Sequence, residues 1–208
     1  MCGEQPVIFI VDDDASAREG IEDLLQSIGL RVMSFGSSQE FLDSKRPDAP
    51  GCIILDVRLP NISGLEFQKL LTEAGIEIPV VFVTGHGDIP MSVTAMKSGA
   101  VEFLTKPFRE QAMLDAINVG IERDRQRRRA LKLVAELRQR FESLTPRERD
   151  VFALVITGRP NKPLAAELGL SEMTIKVHRS QITKKMKASS IVELVRIADR
   201  LGLSTNKI

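Results

Sequence analysis

Five short apolar runs punctuate the first 118 residues, and what lies between them leaves few folds open. Val7-Ile8-Phe9-Ile10-Val11, Cys52-Ile53-Ile54-Leu55 and Pro79-Val80-Val81-Phe82-Val83-Thr84 are almost wholly apolar. Runs of this length read as strands buried on both faces. Arg31-Val32-Met33-Ser34-Phe35 and Val101-Glu102-Phe103-Leu104 read as two more. Helical signals alternate with them. Ile21, Leu24, Leu25 and Ile28 recur at helical spacing from about Ala15 to Ser27, with Gly29 as the stop. Ser37-Ser38-Gln39-Glu40 and Ser63-Gly64-Leu65-Glu66 match the capping box, the second opening a helix to about Glu73, and a short helix follows Pro90. This alternation predicts an α/β fold with a doubly wound, five-stranded parallel sheet.

The rest of the chain carries helix signals only. No Pro or Gly interrupts 121–144, which predicts a long linker helix. Glu122 to Arg129 contains no apolar residue and reads as a solvated face, with direct DNA contact as the alternative. Leu131, Val134, Leu137, Phe141 and Leu144 then form an apolar stripe. Beyond it, Thr145-Pro146-Arg147-Glu148 combines an N-cap, a first-turn Pro and a capping Glu. Further helices are predicted at about 162–168, 171–187 and from Ser190 to Gly202, giving an all-α, four-helix C-terminal domain. The expected domains are 1–118, a helical linker 119–143, and 144–208.

Charge divides the same way. The chain of 208 residues has a net charge of +1, but residues 1–118 hold nine Lys+Arg against eighteen Asp+Glu. Residues 144–208 hold twelve against six. An acidic front joined to a basic back predicts different partners for the two, with nucleic acid for the basic one. No apolar run approaches about 18 residues, so no membrane span is expected. The N-terminus lacks a secretory pattern, and Cys2 and Cys52 have no metal-ligand spacing, so a reducing cytoplasm is expected. Cys52 reads as a small buried strand residue.

Polar groups gather where the strands end. Asp12, Asp13 and Asp14 follow the first strand, Asp56 the third and Lys106 the fifth, while Thr84 ends the fourth. In an open parallel sheet these ends surround the ligand crevice. Three or four carboxylates crowded together repel one another and stay ionised only with a cation between them. Oxygen ligands without His or Cys favour Mg²⁺. Lys106 adds a compact positive charge, and the Thr84 hydroxyl can donate to an anionic oxygen. The combination fits phosphoryl transfer to a carboxylate, with Asp56 as nucleophile.

Residues 6–118 resemble the receiver domain of two-component response regulators. The resemblance rests on Val11-Asp12-Asp13-Asp14, Leu55-Asp56-Val57-Arg58-Leu59-Pro60, Val83-Thr84-Gly85-His86-Gly87 and Lys106-Pro107-Phe108. The run Thr84 to Ala100 is similar to the FixJ branch. The resemblance implies a flavodoxin-like fold and a cis Lys106-Pro107 peptide. It implies that Asp56 accepts phosphate from a sensor histidine kinase. Mg²⁺, or Mn²⁺ or Ca²⁺ in the same site, would be held by Asp12, Asp13, Asp56 and the Arg58 backbone carbonyl. Thr84 and Phe103 match the family's switch pair, and phosphorylation is expected to drive homodimerisation through the face of the fourth helix, fifth strand and fifth helix. Asp14 stands where the family often has Glu.

Two short helices joined by a Gly-containing turn, 162–168 and 171–187, suggest helix-turn-helix. The second carries Lys176, His178, Arg179 and Gln181 early, then Lys184, Lys185 and Lys187. Early residues of such a helix read bases, while Lys and Arg around it grip phosphate. Ile182 and Met186 read as core. Residues 144–203 resemble the LuxR/NarL-type DNA-binding domain through Leu144-Thr145-Pro146-Arg147-Glu148, Asn161-Lys162, Leu164-Ala165, Leu168-Gly169 and Ser171 to His178. Lys176 and Val177 match positions that approach base edges. Ser180 stands where some relatives have Lys. Pro163 departs from a commoner polar residue and is expected in the first turn, where it is tolerated. The resemblances imply a transcriptional regulator acting on promoter DNA, with RNA polymerase as a further partner. They imply no enzyme beyond phosphate acceptance and autodephosphorylation. A phosphatase using the same chemistry would take the first Asp of an Asp-x-Asp after the first strand as nucleophile; Asp12-Asp13-Asp14 meets that spacing, but the receiver spacing around Asp56 fits better, and a phosphorylation-independent regulator would not need the intact pocket.

Overall fold

The computed structural model describes residues 5–85 and 87–203; Cys2 and His86, both read above, lie outside them. The chain forms two compact units, 1–128 and 129–208.

The first unit alternates as its sequence predicts: β1 (Val7–Val11), α1 (Ala15–Ser27), β2 (Arg31–Phe35), α2 (Ser38–Asp43), β3 (Gly51–Asp56), α3 (Gly64–Glu73), β4 (Val80–Thr84), α4 (Ile89–Lys97), β5 (Glu102–Thr105) and the start of α5 (Glu110–Glu142). All strand pairs are parallel and the order is β2-β1-β3-β4-β5. Strand alternation splits the core in two. Val7, Phe9, Val11, Ile53, Leu55 and Phe82 face one layer, with Phe41 of α2 and Phe67 of α3. Ile8, Ile10, Cys52, Ile54, Val81 and Val83 face the other, with α1 and α5. Cys52 is buried, and that burial pushes its thiol up to about 12. The Lys106-Pro107 peptide is cis.

Local signals place the helices. Ser63 and Glu66 form a reciprocal capping box. At α2 the exchange is incomplete: Ser37 accepts from Glu40 N–H, but the Glu40 carboxylate reaches Gly36 N–H instead. Asp88, unremarked in the sequence, caps α4, with Pro90 in its first turn.

The opening of the arginine-rich stretch is not solvated throughout, contrary to expectation. Asp124 is fully buried, accepting from Gly51 N–H at 3.0 Å, Arg127 Nη2 at 2.6 Å and Arg128 Nε at 2.8 Å. Arg127 also reaches Glu77 and Arg128 reaches Asp48. A carboxylate taken out of water needs such partners, and the two arginines are drawn inward with it. These contacts join the start of α5 to the first compact unit, which runs to Arg128.

The second unit contains the remainder of α5, then α6 (Pro146–Val155), α7 (Asn161–Leu168), α8 (Glu172–Met186) and α9 (Ile191–Arg200). Its core includes Leu144, Phe152, Leu164, Ile175, Ile182, Met186 and Leu194. Thr145 and Glu148 complete a capping box at α6, and Pro163 falls in the first turn of α7. Gly169, at φ 63°, supplies the left-handed turn that ends α7 and admits α8. Among the described residues, no helix is long and apolar enough to cross a membrane.

Candidate functional site

The sheet's connections reverse between β1 and β3, so the crevice beyond their C-terminal ends is where the fold leaves room for a ligand. Asp12 directly follows β1, and Asp56 is the last residue of β3. One carboxylate oxygen each of Asp12, Asp13 and Asp56 lie within 4.8 Å of one another. Asp12 and Asp56 are buried, while Asp13 is exposed. Lys106, just past β5, donates through Nζ to Asp12 Oδ2 at 2.6 Å and to Asp56 Oδ2 at 3.3 Å. The remaining oxygens are fixed locally. Asp14 N–H donates to Asp12 Oδ1 at 2.9 Å, and Arg58 N–H to Asp56 Oδ1 at 3.0 Å.

Charge does not balance here, because three carboxylates face one ammonium. Burial pushes the Asp56 carboxyl above its usual range; Asp12 adds to the rise, while Arg58 N–H and Lys106 oppose it. Burial alone would lower Lys106, but its hydrogen bond and attraction to Asp12, with Asp56 behind them, raise it instead. A hard divalent cation fits this all-oxygen, charge-deficient set.

Not every acid of the sequence cluster joins. Asp14 caps α1, its Oδ1 accepting from Ser16 N–H at 2.9 Å and Ala17 N–H at 3.3 Å. A side chain committed to a helix start does not face the crevice chemistry. Thr84 is fully buried at the end of β4. Phe103 pairs in register with Phe82, two residues before Thr84, and its half-buried ring lies 6.3 Å from that of Phe82.

Two glycines hold this arrangement and carry no sequence signal of doing so. A Cβ on Gly64 would lie 2.2 Å from the Asp56 carbonyl oxygen, so only glycine lets α3 begin against the back of that residue. Its N–H donates to the Val57 carbonyl at 2.8 Å, closing the turn. A Cβ on Gly87 would lie 2.7 Å from Phe103 Cε1 and 3.0 Å from Thr105 Cγ2, so the loop after β4 rests directly on the Phe103 ring.

In the second unit, α7 and α8 form the helix pair. Ser171 caps α8 by accepting from Thr174 N–H. Ile182 and Met186 point into the core, as read from their spacing, and Ile175 joins them. Lys176, Val177, Ser180, Gln181 and Lys184 are exposed along one face. Arg179 is half-buried and donates to Asn161 Oδ1 at 2.6 Å, which ties α8 to the first turn of α7. Lys185, expected at DNA phosphate, is engaged within its own unit. Its Nζ lies 2.6 Å from the buried Glu148 Oε2 and 3.4 Å from the Ser143 carbonyl. That ammonium reaches the carboxylate of the α6 capping box, because a buried carboxylate needs a paired cation.

A negatively charged crevice of this kind on one unit and an exposed cationic helix face on the other define a signal-receiving, DNA-binding regulator. Comparison with known families agrees. Residues 8–118 match the response regulator receiver domain, and residues 142–198 match the bacterial regulatory proteins of the luxR family. The chain belongs to the two-component response regulators that carry a LuxR-type DNA-binding domain. It is 52% identical over 200 residues to Nodulation protein W of Bradyrhizobium diazoefficiens, covering 96% of this chain and 88% of that one. It is 48% identical over 201 residues to the response regulator protein TmoT of Ectopseudomonas mendocina, covering 97% and 91%. Among solved structures, response regulator StyR matches with a TM-score of 0.83 at 48% identity, over 94% of this chain and 99% of that one. Full-length FixJ from B. japonicum matches with a TM-score of 0.57 at 38% identity, over 96% and 98%.

Proposed function

We propose that this regulator is switched by phosphorylation of Asp56 and then grips promoter DNA as a homodimer. The observation that carries the reading is the crevice itself: Asp12, Asp13 and Asp56 within 4.8 Å, bridged on one side only by Lys106. A sensor histidine kinase is the donor. An Asp56 oxygen forms the new P–O bond as the P–N bond to the kinase histidine breaks, and the imidazole keeps the electron pair. Asp12, Asp13, Asp56 and the Arg58 backbone carbonyl would hold Mg²⁺, with Mn²⁺ or Ca²⁺ as alternatives. The cation, when bound, offsets negative charge on the transferred group.

Lys106 holds a phosphoryl oxygen from the β5 side. The Thr84 hydroxyl donates to another, and Phe103 fills the space Thr84 leaves. The signal is thus a shift between two packings of one element. It changes the face of α4, β5 and α5, where two copies pair. In the second unit, Lys176 and Val177 approach base edges, with Arg179, Gln181 and Lys184 beside them. Contact with RNA polymerase would convert binding into transcription. The regulator works in the cytoplasm, and its only chemistry is taking up and losing this phosphate.

The test is intact mass after incubation of the full chain with acetyl phosphate and Mg²⁺. Wild type gains one phosphoryl group, and chelation of Mg²⁺ prevents it. Asp56→Asn gains none. An adduct of equal yield on Asp56→Asn overturns the assignment.

A further inference from the structure

The first turn of α8 presents an apolar side chain that its own domain does not use. Met173 is 68% exposed, whereas Ile175, two residues on, is fully buried. The helix sorts cleanly. Met173, Lys176, Val177, Ser180, Gln181 and Lys184 are exposed. Their spacings of three and four place them on one face. Val177, four residues after Met173, is 53% exposed. The Thr174 hydroxyl is engaged with Ser171 Oγ at 2.8 Å, so Met173 is what the first turn adds to this face besides the Glu172 carboxylate.

An apolar pair straddling a lysine, on a face otherwise polar and cationic, suits a polyanion better than a protein patch. Residues 144–208 carry twelve Lys+Arg against six Asp+Glu. The apolar feature that duplex DNA offers in its major groove is the thymine C5-methyl group. Met173 is unbranched and flexible, so its thioether can follow such a methyl without moving the helix.

We propose that Met173 is a further specificity-determining residue that reads a thymine methyl next to the base pair approached by Lys176. The inference rests on α8 being the DNA-reading helix. It deepens that reading by naming a contact and the base it selects. Withdrawing one methyl-sized apolar contact from water is worth about fourfold in affinity.

Selection from a random duplex pool, using the full chain treated with acetyl phosphate and Mg²⁺, gives the preferred site. That site is then remade with uracil replacing thymine, one position at a time, which deletes only the methyl group. Wild type is expected to lose about fourfold at one thymine of each half-site. Met173→Gln loses a similar factor on the thymine duplex and is indifferent to uracil. Met173→Leu stays sensitive. Met173→Gln binding like wild type, or losing the same factor on uracil, overturns the inference. Lys176→Ala keeps the two levels apart. If it loses preference at its own position while Met173→Gln stays methyl-sensitive, Met173 alone is misassigned. If wild type selects no sequence, or Lys176→Ala keeps every preference, the docking of α8 falls and this contact with it.

Discussion

Each unit holds a lysine within 2.6 Å of a buried carboxylate, and the two pairs do opposite things. Lys185 meets Glu148 one to one, and Thr145 N–H donates to the same carboxylate oxygen, Oε2, at 2.7 Å within the helix cap. The charges close one to one, so the pair is structural. Lys106 meets Asp12 and Asp56 with Asp13 close by, and the charges do not close. The surplus acid is what a hard divalent cation would balance. A lysine-carboxylate contact therefore says little by itself; the count of charges around it decides whether it braces a fold or awaits a ligand.

The largest effect that sharpens this contrast is on stability. Lys185→Met strands a buried carboxylate and is expected to cost the second unit about 2 kcal/mol, below the range for fully buried pairs because Lys185 is half-exposed. Calorimetry checks the loss. The same variant should leave the salt dependence of DNA binding unchanged, whereas Lys184→Ala, on the exposed face, should flatten its slope by about one. A flattened slope for Lys185→Met would return that residue to the DNA interface.

Next is the cation. Asp13 is exposed at the rim of the crevice, so Asp13→Asn should keep the fold. It should weaken Mg²⁺ binding about tenfold, near 1.4 kcal/mol. Titration calorimetry showing unchanged affinity would remove Asp13 from the ligand set.

The smallest effect is on pH dependence, where the two sites should slope in opposite directions. Glu148 is held low, first by its hydrogen bond to Lys185. Its contribution is present above the ordinary carboxylate value of about 4.3 and is lost as pH falls through its lowered folded value. Asp56 is held high by burial. Its contribution is present below about 3.9 and is lost as pH rises through its raised folded value. Without divalent cations, acidification should therefore weaken the second unit at Glu148 and relieve the first at Asp56. Hydrogen exchange resolved by peptide, comparing wild type with Glu148→Gln and Asp56→Asn, reads each slope separately.

The sheet and its crevice were legible because four of the five apolar runs end in or just before Asp12, Asp56, Thr84 or Lys106. Asp12, Asp56, Thr84 and Lys106 need only the rule that ligands gather at strand ends. Legibility failed where a residue's role depends on a partner far along the chain. Lys185 has the sequence signature of a phosphate-gripping lysine, and only the fold brings Glu148 to it. Asp124 sits among arginines in a stretch that looks solvated, yet Gly51 at the start of β3 waits for its carboxylate. Asp14 looks like a fourth pocket acid until the start of α1 claims it. Gly64 and Gly87 are readable as close approaches only once Asp56 and Phe103 are in place.

The central claim is that the unbalanced crevice governs what the basic unit does to DNA. The direct measurement is the affinity of the full chain for its selected duplex, with and without acetyl phosphate, in Mg²⁺. Wild type should bind at least about tenfold more tightly with the phosphodonor, a gain near 1.4 kcal/mol, and Asp56→Asn should not respond. Equal affinity of wild type in both conditions, or an equal gain in Asp56→Asn, would contradict the account.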